Sequence, residues 1–346
     1  MKKEEKVVVG ISVGDLNGIG PEIIIKAYED NRSLELSTPV IFASGKTMQF
    51  FKNHFDSKIN FFNIDSPEKV VHGKVNVVDV WKESVKVEFG KEDKKIGEYA
   101  IKSLEAATNA LKKGLIDVLV TAPINKHSIQ SEKFNFPGHT DYLAKALNGK
   151  SLMFMVAGSL RVGLLTDHVP LKDAANQINE GLIREKIAIV TKSLQQDFGI
   201  SKPRIAVLAI NPHAGDNGVI GKEDDIVLRP TLEKIREEGT LVYGPYSADS
   251  FFGSNNYKSF DAVIASYHDQ GLIPFKTIAF GGGVNYTAGL NKVRTSPDHG
   301  TAYEIAGKGK ADENSFVQAI YTAIKIFKKR EEFNYYSKNP LKKASK

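Results

Sequence analysis

The chain has 346 residues, 41% hydrophobic and 25% charged, with no cysteine and a formal net charge of +6. Such a length is comfortable for two hydrophobic cores, and the absence of cysteine excludes disulfides, thiolate ligands and thiolate nucleophiles. The charge does not point to nucleic acid: residues 328–346 carry seven Lys/Arg and two Glu, a net +5, leaving the remainder near neutral at +1.

A short basic tail of this kind is expected to be a solvated end. No interleaved aromatic and basic stripe accompanies it, so no nucleic-acid partner is expected. No apolar run approaches the ~20 residues of a membrane helix; the best candidate, Leu152 to Leu165, is broken by Gly158, Ser159 and Arg161. The opening Met1-Lys-Lys-Glu-Glu-Lys has no signal-peptide core, and a cytoplasmic protein is expected.

Strand and helix signals alternate along the chain, which predicts an α/β fold with a largely parallel sheet. Val7–Val13 reads as a buried strand, followed by a glycine-bearing turn (Gly14, Gly18, Gly20) and a helix opening at Pro21. The turn lacks both the G-x-G-x-x-G spacing and a G-K-[ST] ending, so it serves equally as a phosphate cradle or a tight βα connection. Pro39–Ala43 is a second strand. Residues 57–95 look irregular and peripheral. Ile96–Lys113 is an amphipathic helix, and Ile116–Val120 a further buried strand.

Thr121-Ala-Pro-Ile-Asn-Lys-His127 then follows that strand, and Phe136-Pro-Gly-His-Thr-Asp141 opens a helix. There His139 and Thr140 stand where a helix N-terminus meets an anion, although helix capping by Thr140 or Asp141 would explain those two residues equally well. Helices are predicted over 183–198, 224–238 and 313–329, and strands over 204–210 and 261–266.

Three histidines each fall just beyond an apolar run of strand character. They are His168 after Val162-Gly-Leu-Leu-Thr-Asp, His213 after Ile205-Ala-Val-Leu-Ala-Ile-Asn-Pro, and His268 after Asp261-Ala-Val-Ile-Ala-Ser-Tyr. Ligands of open α/β sheets gather outside the carboxyl ends of the strands, and three imidazoles with one open position are a common catalytic metal site. Asp167 and Asp269 adjoin two of them, as carboxylates that fix a ligand's tautomer do. Lys276, Asn285 and Arg294 lie within 19 positions of each other between His268 and Asp298, and would suit a substrate carrying carboxylate and phosphate.

Together, Thr121-Ala-Pro-Ile-Asn-Lys, Pro137-Gly-His-Thr-Asp, Leu165-Thr-Asp-His, Asn211-Pro-His-Ala-Gly, Gly244-Pro-Tyr-Ser-Ala-Asp, Tyr267-His-Asp-Gln-Gly-Leu, Gly283-Val-Asn and Arg294-Thr-Ser-Pro-Asp-His-Gly-Thr-Ala resemble the 4-hydroxythreonine-4-phosphate dehydrogenases of vitamin B6 synthesis. The likeness runs from about Gly10 to Ala323 in the same order.

The resemblance implies an isopropylmalate-dehydrogenase-like fold of two α/β/α lobes around a central cleft, in a homodimer. Residues 1–127 with 299–346 would form one lobe and 128–298 the other. It also implies a divalent metal (Zn, Co, Mn or Mg) on His168, His213 and His268, the last from the partner subunit. Substrate would be held by His139, Thr140, Lys276, Asn285 and Arg294. Lys276 and Asp249 are the candidate catalytic residues, NAD or NADP the hydride acceptor, and the cofactor-binding residues are unassigned. The activity implied is oxidation of 4-phosphooxy-L-threonine at C3, then decarboxylation to 3-amino-2-oxopropyl phosphate. Alternatives are a dehydrogenase of 4-phosphothreonate or 4-phosphoerythronate, and a non-redox three-histidine metallohydrolase. One departure is Gly289-Leu-Asn-Lys, where the family usually has Gly-Leu-Pro.

Overall fold

The computed structural model describes residues 6–30, 32–132, 134–136 and 138–338. Pro137 of the Pro-Gly-His-Thr-Asp motif and the basic tail beyond Lys338 lie outside them. In chain order the elements are β1 Val7–Ser12, α1 Gly20–Glu29, α2 Ser33–Leu36, β2 Ser37–Ala43, α3 Gly45–His54, β3 Phe61–Ile64, β4 Val75–Asp79, α4 Lys94–Lys113, β5 Val118–Thr121 and α5 His139–Ala146. Then come β6 Leu152–Ala157, β7 Leu160–Leu164, α6 Leu171–Gln177, α7 Glu180–Gln196, β8 Ile205–Leu208, α8 Arg229–Glu237, β9 Val242–Tyr246, α9 Ala248–Gly253, β10 Ala262–Ala265 and α10 His268–Ile278. The chain closes with β11 Val284–Ala288, β12 Val293–Pro297 and α11 Asn314–Ser337. No helix of the described residues is long and apolar enough to cross a membrane.

The chain divides into two compact units, the first of residues 1–151 and 281–324, the second of 152–280 and 325–346. These divisions differ from the expected ones at 127/128 and 298/299. Residues 281–298 belong with the first unit because they form the β11–β12 hairpin, and β12 pairs in parallel with β5. His139, Thr140, Asn285 and Arg294 therefore sit in the first unit; the three histidines, Asp249 and Lys276 sit in the second.

The first unit orders its strands β3-β4-β2-β1-β5-β12-β11, all parallel except β11. Strand β2 is buried along its whole length, as a parallel strand covered on both faces must be. The segment expected to be irregular holds β3 and β4, which extend this sheet at one edge. They are only four and five residues long, too short for a clear period.

Helix α4 matches its prediction closely, since its ends are written locally. Asp93 accepts from the amides of Lys95 and Ile96 at the start, and Gly114 takes a left-handed φ of 72° at the end. The glycine turn after β1 is a packing device: a Cβ on Gly14, whose φ is +69°, would lie 2.2 Å from the Pro123 carbonyl oxygen. Gly289-Leu-Asn-Lys292 forms the β11–β12 hairpin loop, with Gly289 at φ 85°.

The second unit orders its strands β6-β7-β10-β8-β9, with only the β6–β7 hairpin antiparallel. Its core joins β7, β8 and β10 to α10 through Val162, Leu164, Ala206, Val263 and Phe275. Gly271 lets α10 lie close against the sheet, because a Cβ there would stand 2.9 Å from both Ala265 Cβ and Leu164 Cδ2.

Candidate active site

In the first unit, Arg294 projects from β12 and is only 2% exposed. Its guanidinium donates from Nε (3.2 Å) and NH2 (2.5 Å) to Thr121 Oγ1, and from NH1 (3.0 Å) to Thr287 Oγ1. Those partners are neutral hydroxyls, and among the described residues no carboxylate pairs with it. Burial lowers its pKa to about 9, so it stays charged at neutral pH. A buried cation without a counterion is costly unless a ligand supplies the negative charge.

The strand registers explain the placement. Arg294 aligns with Leu119 of β5, two positions from Thr121 and therefore on the same face of the sheet as it, and Asn285 aligns with Ser296. The amide oxygen of Asn285 is buried without a hydrogen-bond partner. So is Nε2 of His139, the first residue of α5. Burial first, then the positive charges of Arg294 and Lys126, hold the His139 imidazole well below its ordinary pKa and hence neutral at pH 7. The capping expectation for Thr140 and Asp141 is not met: the cap residue of α5 is Gly138, with no side-chain hydrogen bond. Thr140 is half-buried in the first turn.

In the second unit, β7 and β10 are parallel neighbours, with Leu164 opposite Ala265. Pairing persists beyond the strands, since the Leu165 amide donates to the Ala265 carbonyl (2.8 Å) and Thr166 Oγ1 to the Ser266 carbonyl (2.8 Å). Equal lengths beyond that point bring the His168 and His268 rings to 5.9 Å between centroids. They line one pocket of about 330 Å3 with Asp167, Tyr267 and Asp269. Nδ1 of His268 is 2.7 Å from Asp269 Oδ1. A carboxylate only accepts, so Nδ1 is the donor, and in the neutral tautomer that makes this bond Nε2 is the free acceptor, the arrangement of a ligating histidine.

His213 follows β8 on a loop in which every residue from His213 to Gly218 has positive φ, 53° at His213 and 54° at Ala214. For residues with a Cβ, this left-handed conformation costs roughly 1–2 kcal/mol each. Among the described residues no group of three or more His, Asp or Glu is arranged to hold a metal ion. One chain therefore assembles His168 and His268 without His213. The two neighbouring imidazoles, one braced by a carboxylate, fit a divalent ion as a partial donor set.

Lys276 is exposed on α10, eight residues or about 12 Å along the helix axis from His268. Asp249, in the first turn of α9, lines a second pocket of about 330 Å3 with Tyr267, Asp269 and Gln270. Sequence reasoning passed over Thr121 and Thr287, which hold Arg294, and Lys126, which acts on His139. It also passed over Gln270, whose side chain accepts from the Ser266 amide and donates to the Ala209 carbonyl (both 2.7 Å), tying the ends of β10 and β8 together. Thr121 and Gln270 lie inside quoted motifs, which was the available signal; Thr287 had none.

Comparison with known proteins resolves the relationship. The family model described as pyridoxal phosphate biosynthetic protein PdxA matches residues 35–323. The chain belongs to the PdxA family. A PdxA relative from Bacteroides thetaiotaomicron, a 4-hydroxythreonine-4-phosphate dehydrogenase, is 49% identical over 99% of this chain and 94% of its own. A D-threonate 4-phosphate dehydrogenase of Cupriavidus necator is 36% identical over 93% of this chain and 98% of its own. The crystal structure of the 4-hydroxythreonine-4-phosphate dehydrogenase from Klebsiella pneumoniae superposes with a TM-score of 0.81 at 31% identity, covering 94% of this chain and 99% of that one. This PdxA chain is accordingly an enzyme of the dehydrogenase class with the α/β fold of those proteins.

Proposed function

We propose that the protein oxidises 4-phosphooxy-L-threonine at C3 with NAD(P)+ and then decarboxylates the β-keto acid to 3-amino-2-oxopropyl phosphate. The observation that carries this reading is the buried Arg294 guanidinium, paired among the described residues only with hydroxyls, and beside a His139 nitrogen that has no partner among them. Such a setting calls for an anionic, hydrogen-bonding ligand. The name of the Bacteroides relative gives that ligand its chemical class.

In the first unit, Arg294 would hold an anionic end of the substrate, with the neutral His139 and the Thr140 hydroxyl adding hydrogen bonds. The Asn285 oxygen would accept from the substrate's ammonium or hydroxyl. In the second unit, His168 and His268 would hold a divalent ion. His213 would complete the set from a second copy of the chain, a reading supported by the lack of any three-residue metal group among the described residues of one chain. Exposed apolar side chains near that loop, among them Val219 at 80% and Ile226 at 67%, support such a homodimer. The ion would supply Lewis acidity to the C3 oxygen and the nicotinamide a hydride acceptor. Lys276 would take the hydroxyl proton, and Asp249 would act near the cofactor.

The balance is one hydride to NAD(P)+, one hydroxyl proton released, CO2 lost from C2, and one proton returned to that carbon. The test is NAD(P)H formation from 4-phosphooxy-L-threonine before and after chelation. Activity should vanish with the ion and return with Zn2+, Co2+ or Mn2+; full activity in metal-free protein would overturn the reading. The Cupriavidus relative supports a second reading, with a 4-phosphorylated threonate as substrate. The ratio of kcat/KM for the amino and hydroxy acids separates the two.

A further inference from the structure

We propose that Asp224 is the positioning residue that presents His213 to the metal. The inference rests on the reading of His213 as a ligand. Asp224 is fully buried (0% exposed), yet no basic side chain pairs with it among the described residues. Its carboxylate is spent on the root of the His213 loop. Oδ1 accepts from the Ile210 amide at 2.8 Å, and Oδ2 accepts from the Asn211 amide at 2.9 Å and from Asn211 Nδ2 at 3.1 Å. Asn211 Nδ2 also reaches Glu223 Oε2 at 2.8 Å.

Those bonds hold the two residues where β8 ends and the left-handed run begins. Within the run itself, short-range backbone bonds such as Asp216 N to the His213 carbonyl at 3.2 Å add to that hold. Left-handed φ values at His213 and Ala214 persist only where surrounding groups impose them. An anchored root together with a strained tip describes a loop preset for one direction of its imidazole. A buried carboxylate satisfied by three N–H donors is the group supplying that anchor. Gly215 completes the arrangement, because a Cβ there would lie 2.7 Å from the Gly221 carbonyl that precedes Asp224.

The test is Co2+ titration of the metal-stripped full-length protein, following the ligand-field absorption, for wild type, Asp224→Asn and His213→Ala. Asp224→Asn keeps the shape of the side chain but replaces one acceptor oxygen with a donor facing an amide. It should weaken Co2+ binding by about 10–100-fold, the usual effect of a disturbed outer partner, and should alter the ligand-field bands at temperatures well below its Tm. Wild-type affinity and bands in Asp224→Asn, with His213→Ala impaired, would overturn the positioning role and leave the ligand reading intact. Wild-type binding in His213→Ala would overturn the ligand reading itself. Should Asp224→Asn fail to fold, Asn211→Ala removes the side-chain tie to Asp224 and Glu223. A several-fold weaker Co2+ affinity is then expected, and an unchanged one refutes the proposal.

Discussion

Arg294 and His139 show how a single side chain can trade stability for function. Replacing Arg294 with Met removes a buried cation that no carboxylate answers, so the variant should be more stable by about 1–3 kcal/mol while losing turnover of the phosphorylated substrate. Thermal melts alongside steady-state rates check both halves, and a lower Tm would contradict the premise of an unanswered charge. His139 gives a pH signature. Its folded pKa lies below the ordinary 6.5, so between those two values the unfolded chain binds a proton that the native chain does not. Stability should therefore fall as pH drops below about 6.5, with a slope approaching one proton, and His139→Asn should flatten that slope in urea titrations at stepped pH.

Elements rest on ties between their ends as much as on their apolar faces. Arg330, on the C-terminal half of α11, donates Nε to Asp197 Oδ1 at 2.6 Å, and Asp197, just past α7, also accepts from Ser193 Oγ at 2.5 Å. Both partners are buried in the second unit. Arg330→Ala removes a buried, charged partner of that carboxylate and should cost about 3–5 kcal/mol. Adding Asp197→Asn should recover much of the loss, a double-mutant cycle measurable by denaturant unfolding. Helix α4 was legible in the sequence because Asp93 and Gly114 mark its two ends locally. Strands β3 and β4 were not, since four or five residues carry too little pattern and their place is settled by pairing with β2.

For the whole molecule, the distribution of histidines between copies is the decisive issue. If His168 and His268 of one chain meet His213 of another, mixing His213→Ala with His168→Ala protein should restore activity, because one site of each hybrid dimer then keeps all three rings. Were His168 and His213 to act from the same chain, no hybrid would recover, and the refolded mixture would stay as inactive as its parents. Near-stoichiometric metal in one site of each hybrid dimer, a quarter of all sites in an evenly refolded mixture, is the accompanying measurement.

Sequence alone determined the alternation of strands and helices, the strand-end positions of His168, His213 and His268, and the family, because periodicity, caps and ordered motifs are local or linear properties. Tertiary structure decided which of those groups meet. The parallel register of β7 and β10 sets His168 beside His268, the β12–β5 pairing buries Arg294 against Thr121, and Asp224 reaches back 13 residues to Asn211. The cost of burying a charge and the strain of a left-handed loop depend on what surrounds them, and that arises only once distant segments have packed together.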